Sequence, residues 1–124
     1  MSETPDAARA TADEGLPAED EKLVTLARSA RARAAAPEGA AVRDGMGRTY
    51  AASTVRLQSL QLTALQAVVA AAVSSGSDDL EAAAVVGERG SIDEGDRAVL
   101  GELSVRRLLL AAPDRGSRIQ VLEP

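Results

Sequence analysis

The chain has 124 residues, enough for one domain with a buried core, and its formal net charge at pH 7 is −5. It contains neither Cys nor His. Disulfides, thiolate or imidazole metal ligands and Cys- or His-dependent nucleophilic catalysis are therefore excluded, and any metal site would have to use carboxylates. Tyr50 is the single aromatic residue, which leaves no stacking platform and argues against a nucleic-acid partner.

The acidity is concentrated near the N-terminus. Residues 1–21 hold seven acids and one Arg, so the remainder carries a net charge of +1. Residues 1–18 lack apolar periodicity and predict a disordered acidic tail, followed by one domain at 19–124. No apolar run is long enough to span a membrane, and no basic segment precedes an apolar one at the start. We therefore expect a cytoplasmic protein with no membrane partner.

The first half of the domain predicts a helix and then a hairpin. The helix lies between Pro17 and Pro37, and the acids at 19–21 suit the positive end of its dipole. Next come two short apolar or β-branched runs, 39–42 and 48–55, separated by a turn-rich segment. That arrangement is typical of a β-hairpin.

The segment Ser59–Gly76 predicts the central helix of the chain. Its Thr63-x-x-Gln66 spacing is a capping box, in which each side chain satisfies a backbone N–H at the helix start. The body of the helix is apolar on nearly all faces, which indicates burial on more than one side. The following run, Leu80–Val86, predicts a buried strand.

The last third of the chain predicts one more helix and two strands. A second capping box, Ser91-x-x-Glu94, would open a helix that ends near Leu103. Val105–Ala112 predicts a strand, and residues 119–122 predict a short final strand or tail. The alternation of strands and helices indicates an α/β sandwich, with helices on the faces of a sheet.

Three segments, in this order and at this spacing, resemble one known family. Gly39-Ala-Ala-Val42 leads into Gly47-Arg48-Thr49-Tyr50; Thr63–Gly76 matches a family helix that begins Cys-Ala-Glu; and Arg97–Leu103 matches the segment after a Cys-x-x-Cys pair. The chain is similar, over about residues 20–124, to the small homo-oligomeric cytidine deaminases. The resemblance implies a three-layer α/β/α sandwich with a mixed sheet of four to five strands.

The resemblance also implies a lost active site. In the family, three Cys residues hold zinc and a Glu transfers protons. The metal ligands correspond to Thr63, Asp93 and Asp96, and the Glu corresponds to Leu65, so all four have been replaced. We therefore expect neither zinc nor a catalytic residue. The hypothesis is a catalytically inactive binding or scaffold module, a homo-oligomer (dimer or tetramer) with a possible unidentified protein partner.

The family's ribose-binding Asn and Glu are missing as well. Counted from Gly47, their positions fall on Thr54 and Arg56; counted back from Thr63, they fall on Ala52 and Thr54. Neither alignment supplies an amide and a carboxylate. The resemblance thus places the substrate region near Thr54 and Arg56 without identifying a ligand.

Two alternatives remain open. Asp93 and Asp96 could form a non-standard metal centre in an active cytidine or nucleoside deaminase, although acids in a first helical turn more often serve as helix-end charges. Alternatively, the domain could be a nucleoside-binding sensor.

Overall fold

Five strands form one mixed sheet in the structure, a computed structural model that describes residues 15–124. The helices are α1 (Ala18–Ala34), α2 (Ala64–Ser74) and α3 (Glu94–Glu102). The strands are β1 (Glu38–Asp44), β2 (Thr49–Ser53), β3 (Val55–Arg56), β4 (Gln61–Leu62), β5 (Leu80–Gly87), β6 (Arg107–Ala111) and β7 (Ile119–Leu122). The strand order is β2-β1-β5-β6-β7, parallel only between β5 and β6 and antiparallel elsewhere.

Helices cover both faces of this sheet. Helix α1 buries Leu23, Val24 and Ala27 on one face, whereas α2 and α3 bury a second apolar cluster on the other. The three-layer α/β/α sandwich with a mixed sheet is therefore confirmed. Because β1 and β5 are covered on both sides, they read as nearly continuous apolar runs rather than alternating ones.

Small side chains let the helices lie close to the sheet. Three of the eight residues of β5 are Ala, which is a poor strand former in isolation. Packing between two helical layers outweighs that weak preference. At Gly39 in β1 the approach is closest, because a Cβ atom there would overlap the carbonyl oxygen of Ala27 in α1.

Two features differ from the sequence-based expectations or lie beyond them. Strands β3 and β4 form a separate two-stranded ribbon that the sequence analysis did not predict. The helix predicted within Ser59–Gly76 therefore begins only at Ala64, because Thr63 caps it and Gln61 and Leu62 pair with β3. Of the predicted acidic tail, residues 1–14 lie outside the described residues, and Ala18 is already the first residue of α1.

Within residues 15–124, none of the helices combines the length and apolar character that crossing a membrane requires.

A buried carboxylate fastens α1 to the sheet. Asp20, 1% exposed, accepts hydrogen bonds from Arg43 of β1 at 3.1 Å and from Arg107 of β6 at 3.0 Å. Arg43 also binds Glu81 of β5 at 2.7 Å. Asp20 is thus the centre of an ion cluster that connects one helix to three strands, in addition to its place near the positive end of α1.

We expect Asp20→Ala to lower the free energy of unfolding by about 3 kcal/mol, because it leaves the buried Arg43 without this partner. Glu19→Ala is the matched control, since Glu19 is an exposed acid in the same helical turn. That control should change stability by no more than about 0.5 kcal/mol. Urea unfolding of wild type and the two variants measures both values. Equal effects of the two substitutions would show that Asp20 stabilises the protein only as a charge at the helix end.

Candidate functional site

A capping box closes the start of α2. The Thr63 hydroxyl accepts a hydrogen bond from the backbone N–H of Gln66 at 3.0 Å, and Gln66 Oε1 accepts one from the Thr63 N–H at 2.9 Å. Two of the N–H groups that a helix start leaves without partners are thereby satisfied. The structure confirms this prediction.

The start of α3 is capped by Asp93, not by Ser91. Asp93 Oδ1 accepts from the backbone N–H of Asp96 at 2.8 Å, and the helix begins at Glu94. The predicted capping box between Ser91 and Glu94 was therefore wrong. Ser and Asp are comparably good N-caps, and the later start allows both Ile92 and Asp96 to be buried.

One side-chain hydrogen bond joins the two helix starts. Thr63 Oγ1 donates to Asp96 Oδ1 at 2.8 Å, an interaction that we call the Thr63–Asp96 link. The Thr63 hydroxyl has a single proton to donate, and it uses that proton here while it accepts from Gln66. Because Asp96 is only 1% exposed, water competes little for this bond.

The guanidinium of Arg89 lies beside the Thr63–Asp96 link. It donates two hydrogen bonds to Glu38, from Nε at 2.9 Å and from Nη2 at 3.1 Å. Its Nη2 is 3.9 Å from Asp96 Oδ2, and its Nη1 is 4.0 Å from Asp93 Oδ2. Three carboxylates therefore surround one cation, and the bond to Glu38 is the main cause that raises the pKa of Arg89.

The carboxyl group of Asp96 is incompletely compensated. Burial raises its pKa above the ordinary value of 3.8, and the nearby Asp93 adds to the rise; the Thr63 hydroxyl and Arg89 oppose it. Asp96 Oδ2 is buried and has no hydrogen-bond partner among the described residues. The protonated form of Asp96 is thus favoured more than that of an exposed Asp.

Of the other positions implied by the resemblance, Leu65, Thr54 and Ala52 hold structural roles, whereas Arg56 does not. Leu65 is 0% exposed and packs in the core beneath α2. Thr54 binds the backbone of Glu38 through its hydroxyl, which donates to the carbonyl at 3.2 Å and accepts from the N–H at 3.1 Å. Ala52 packs against the core, and Arg56 is exposed in β3.

An open cleft of about 650 Å³ lies at the start of α2. Three of the positions singled out from the sequence line it: Thr54, Arg56 and Thr63. Leu65, Asp93 and Asp96 are not among its lining residues. Arg89 also lines the cleft, and sequence reasoning missed it because nothing local marks a loop Arg whose partner, Glu38, lies 51 residues away.

The acidic groups near the cleft surround an arginine and do not form a metal-binding group. Among residues 15–124, no cluster of three or more Asp or Glu side chains is placed to hold a metal ion. Asp93 Oδ1 is engaged in capping α3, and Asp96 Oδ1 is engaged with Thr63. The remaining oxygen of each faces Arg89 at about 4 Å.

Comparison with known proteins agrees with the resemblance read from the sequence. A family model described as cytidine deaminase-like matches residues 16–116. No curated protein sequence shows significant similarity to the chain. Among solved structures, a mutant cytidine deaminase from Mycobacterium tuberculosis is 33% identical, with a TM-score of 0.60 over 79% of this chain and 88% of that one.

Two structures with lower sequence identity to this chain show the same fold. The cytidine deaminase from Burkholderia pseudomallei is 23% identical, with a TM-score of 0.66 over 80% of this chain and 89% of that one. The cytidine deaminase from Mycobacterium leprae is also 23% identical, with a TM-score of 0.64 over 83% and 94% of the two chains.

The raised pKa of Asp96 leads to a pH-dependent prediction. A carboxyl whose pKa is higher in the folded state contributes stability below its unfolded pKa and loses it as the pH rises through the folded value. Asp96→Asn keeps an acceptor for Thr63 and cannot ionise. Wild type should lose stability as Asp96 ionises, so the unfolding free energy of Asp96→Asn should rise relative to that of wild type between a pH below 3.8 and pH 7.

Asp96→Ala is the second variant in this experiment. It should show the same pH trend but lie about 1 kcal/mol below Asp96→Asn at every pH, because only Asn retains the acceptor for the Thr63 hydroxyl. Chemical denaturation across the pH range measures all three proteins. A difference between wild type and Asp96→Asn that is independent of pH would contradict the raised pKa.

Proposed function

The chain belongs to the cytidine deaminase-like family, and we propose that it is a non-catalytic member of that family, a zinc-free module that binds a ligand or partner and assembles as a homo-oligomer. The observation that carries the proposal is the Thr63–Asp96 link together with Arg89. Thr63 and Asp96 occupy two of the three positions at which the resemblance places zinc ligands; they are bonded to each other, and Arg89 lies 3.9 Å from Asp96.

The donor groups support the absence of zinc. A zinc centre of the kind implied by the resemblance needs anionic thiolates, whereas Thr63 offers a neutral hydroxyl whose proton is used on Asp96. Asp93 has one oxygen in the cap of α3. Arg89 brings a positive charge close to both carboxylates, so a divalent cation placed there would be repelled.

Proton transfer is also unsupported. Deamination at a pyrimidine ring requires a group that gives and takes protons beside the activated water. Leu65, at the position of the family Glu, is apolar and fully buried. Of the two acids that line the cleft, Glu38 is held by Arg89 through two hydrogen bonds, and Glu88 is exposed to solvent. An active deaminase with an aspartate-based metal centre is therefore the less favoured candidate.

Self-association is part of the proposal. Several large apolar side chains are exposed on α2 and around the β3–β4 ribbon: Leu57 at 59%, Leu60 at 49% and Val73 at 44%. Helix α2 also presents exposed Ala residues, which would allow another helix to approach closely. Burying these groups between copies of the chain would remove apolar surface from water.

Metal analysis and an activity assay test the proposal together. Purified protein should contain substoichiometric zinc, its thermal unfolding should not respond to a chelator, and it should not deaminate cytidine in an absorbance assay. The same preparation should sediment as a species larger than the 12.7 kDa chain. One equivalent of zinc accompanied by turnover would overturn the proposal.

A variant with the family residues restored provides the positive control. Thr63→Cys, Leu65→Glu, Asp93→Cys and Asp96→Cys, combined in one chain, rebuild the implied donor set on the same fold. We expect this variant, and not the wild type, to take up zinc when refolded in its presence. Equal zinc uptake by both proteins would show that these four positions do not decide metal binding.

A further inference from the structure

The cleft at the start of α2 carries two cationic groups that the proposed function does not use. Three Arg side chains line it: Arg31, Arg56 and Arg89. Its acids are Glu38 and Glu88. Arg89 is engaged by Glu38 through paired hydrogen bonds and has Asp93 and Asp96 about 4 Å away, so its charge is already compensated. The other charged side chains that line the cleft are Arg31, Arg56 and the exposed acid Glu88.

Arg31 is oriented toward this cleft by a backbone contact. It lies in the last turn of α1, and its Nε donates to the carbonyl oxygen of Pro37 at 3.2 Å. This bond holds the guanidinium at the cleft while the two terminal nitrogens make no hydrogen bond or ion pair with residues 15–124. A planar guanidinium with two parallel N–H groups available is well suited to a carboxylate or a phosphate.

Arg56 supplies the second cation from a different element. It lies in the short strand β3, it is exposed, and it makes no ion pair with any described residue. Pro37, Val55 and Leu62 provide the apolar part of the lining. The volume of about 650 Å³ is within the range of small-molecule sites, which combine an apolar lining with a few charged or polar groups.

The charge of the cleft lining favours an anion. The chain has a net charge of −5, but residues 1–21 account for −6 of it and the rest of the chain carries +1. The residues that line the cleft include three Arg and two Glu, so the lining itself has an excess of positive charge. We propose that the cleft binds an anionic small molecule, with Arg31 and Arg56 holding its carboxylate or phosphate group and the apolar lining contacting its body. The proposal rests on the proposed function and deepens it, because it names the ligand class of a cleft that Thr63 and Arg89 also line.

Two matched probe pairs test this inference and distinguish the two sources of negative charge. Cytidine 5′-monophosphate is compared with cytidine, and benzoate with benzyl alcohol, by NMR titration that follows the guanidinium Nε–H signals of Arg31 and Arg56. At least one anion should bind with a dissociation constant below about 1 mM, while its neutral counterpart should bind at least tenfold more weakly. The anion that binds identifies the source.

Arg31→Gln and Arg56→Gln should each weaken anion binding about tenfold, the loss expected for one charge-assisted contact. Arg33→Gln is the matched control, because Arg33 is an exposed Arg of the same last turn of α1 that does not line the cleft. It removes the same net charge and should leave binding unchanged. Thermal unfolding verifies that the three variants remain folded.

Equal binding of the charged and neutral probes would overturn the inference, as would absence of binding by both anions or an equal loss in Arg33→Gln. These outcomes are separate from the test of the proposed function. Anion binding is read from the chemical shifts, whereas the proposed function fails only if the wild-type protein holds zinc and turns over cytidine.

Discussion

The hydrogen bond between Thr63 and Asp96 is the interaction on which the candidate site depends. Helices α2 and α3 belong to the same layer, and their N-termini meet where this bond lies. Both termini expose backbone N–H groups and a positive dipole end. In this chain those groups are satisfied by Thr63 and Asp93 as caps, each worth about 0.5–2 kcal/mol. The link then fixes one cap relative to the other.

Electrostatic compensation around this bond extends from the helices to the sheet. Asp96 places negative charge near the start of α3, Arg89 offsets part of it, and Glu38 at the beginning of β1 holds Arg89. The ion cluster around Asp20 performs the corresponding task on the opposite face, where it connects α1 to the strands. Both clusters combine acids and arginines from distant parts of the chain.

Local patterns were enough to predict the helices and strands of the main layers, but neither the β3–β4 ribbon nor these clusters. The capping box at Thr63 and the helices and strands of the main layers follow from spacing within a few residues. Asp20 could be recognised only as a helix-end charge, because its partner Arg107 lies 87 residues away. The start of α3 was misplaced for a different reason: Ser91 and Asp93 are both good caps, and burial of Asp96 against Thr63, a tertiary contact, decides between them.

A double-mutant cycle between Thr63 and Asp96 tests the central claim most directly. Wild type, Thr63→Val, Asp96→Ala and the double variant are unfolded in denaturant. The cycle cancels the loss of the α2 cap, because that loss occurs both in Thr63→Val and in the double variant, and a chelator excludes any contribution from metal. The account predicts a favourable coupling energy of about 1–2 kcal/mol, as expected for a buried hydrogen bond to a carboxylate. A coupling energy within about 0.3 kcal/mol of zero, so that the two substitutions act independently, would contradict it.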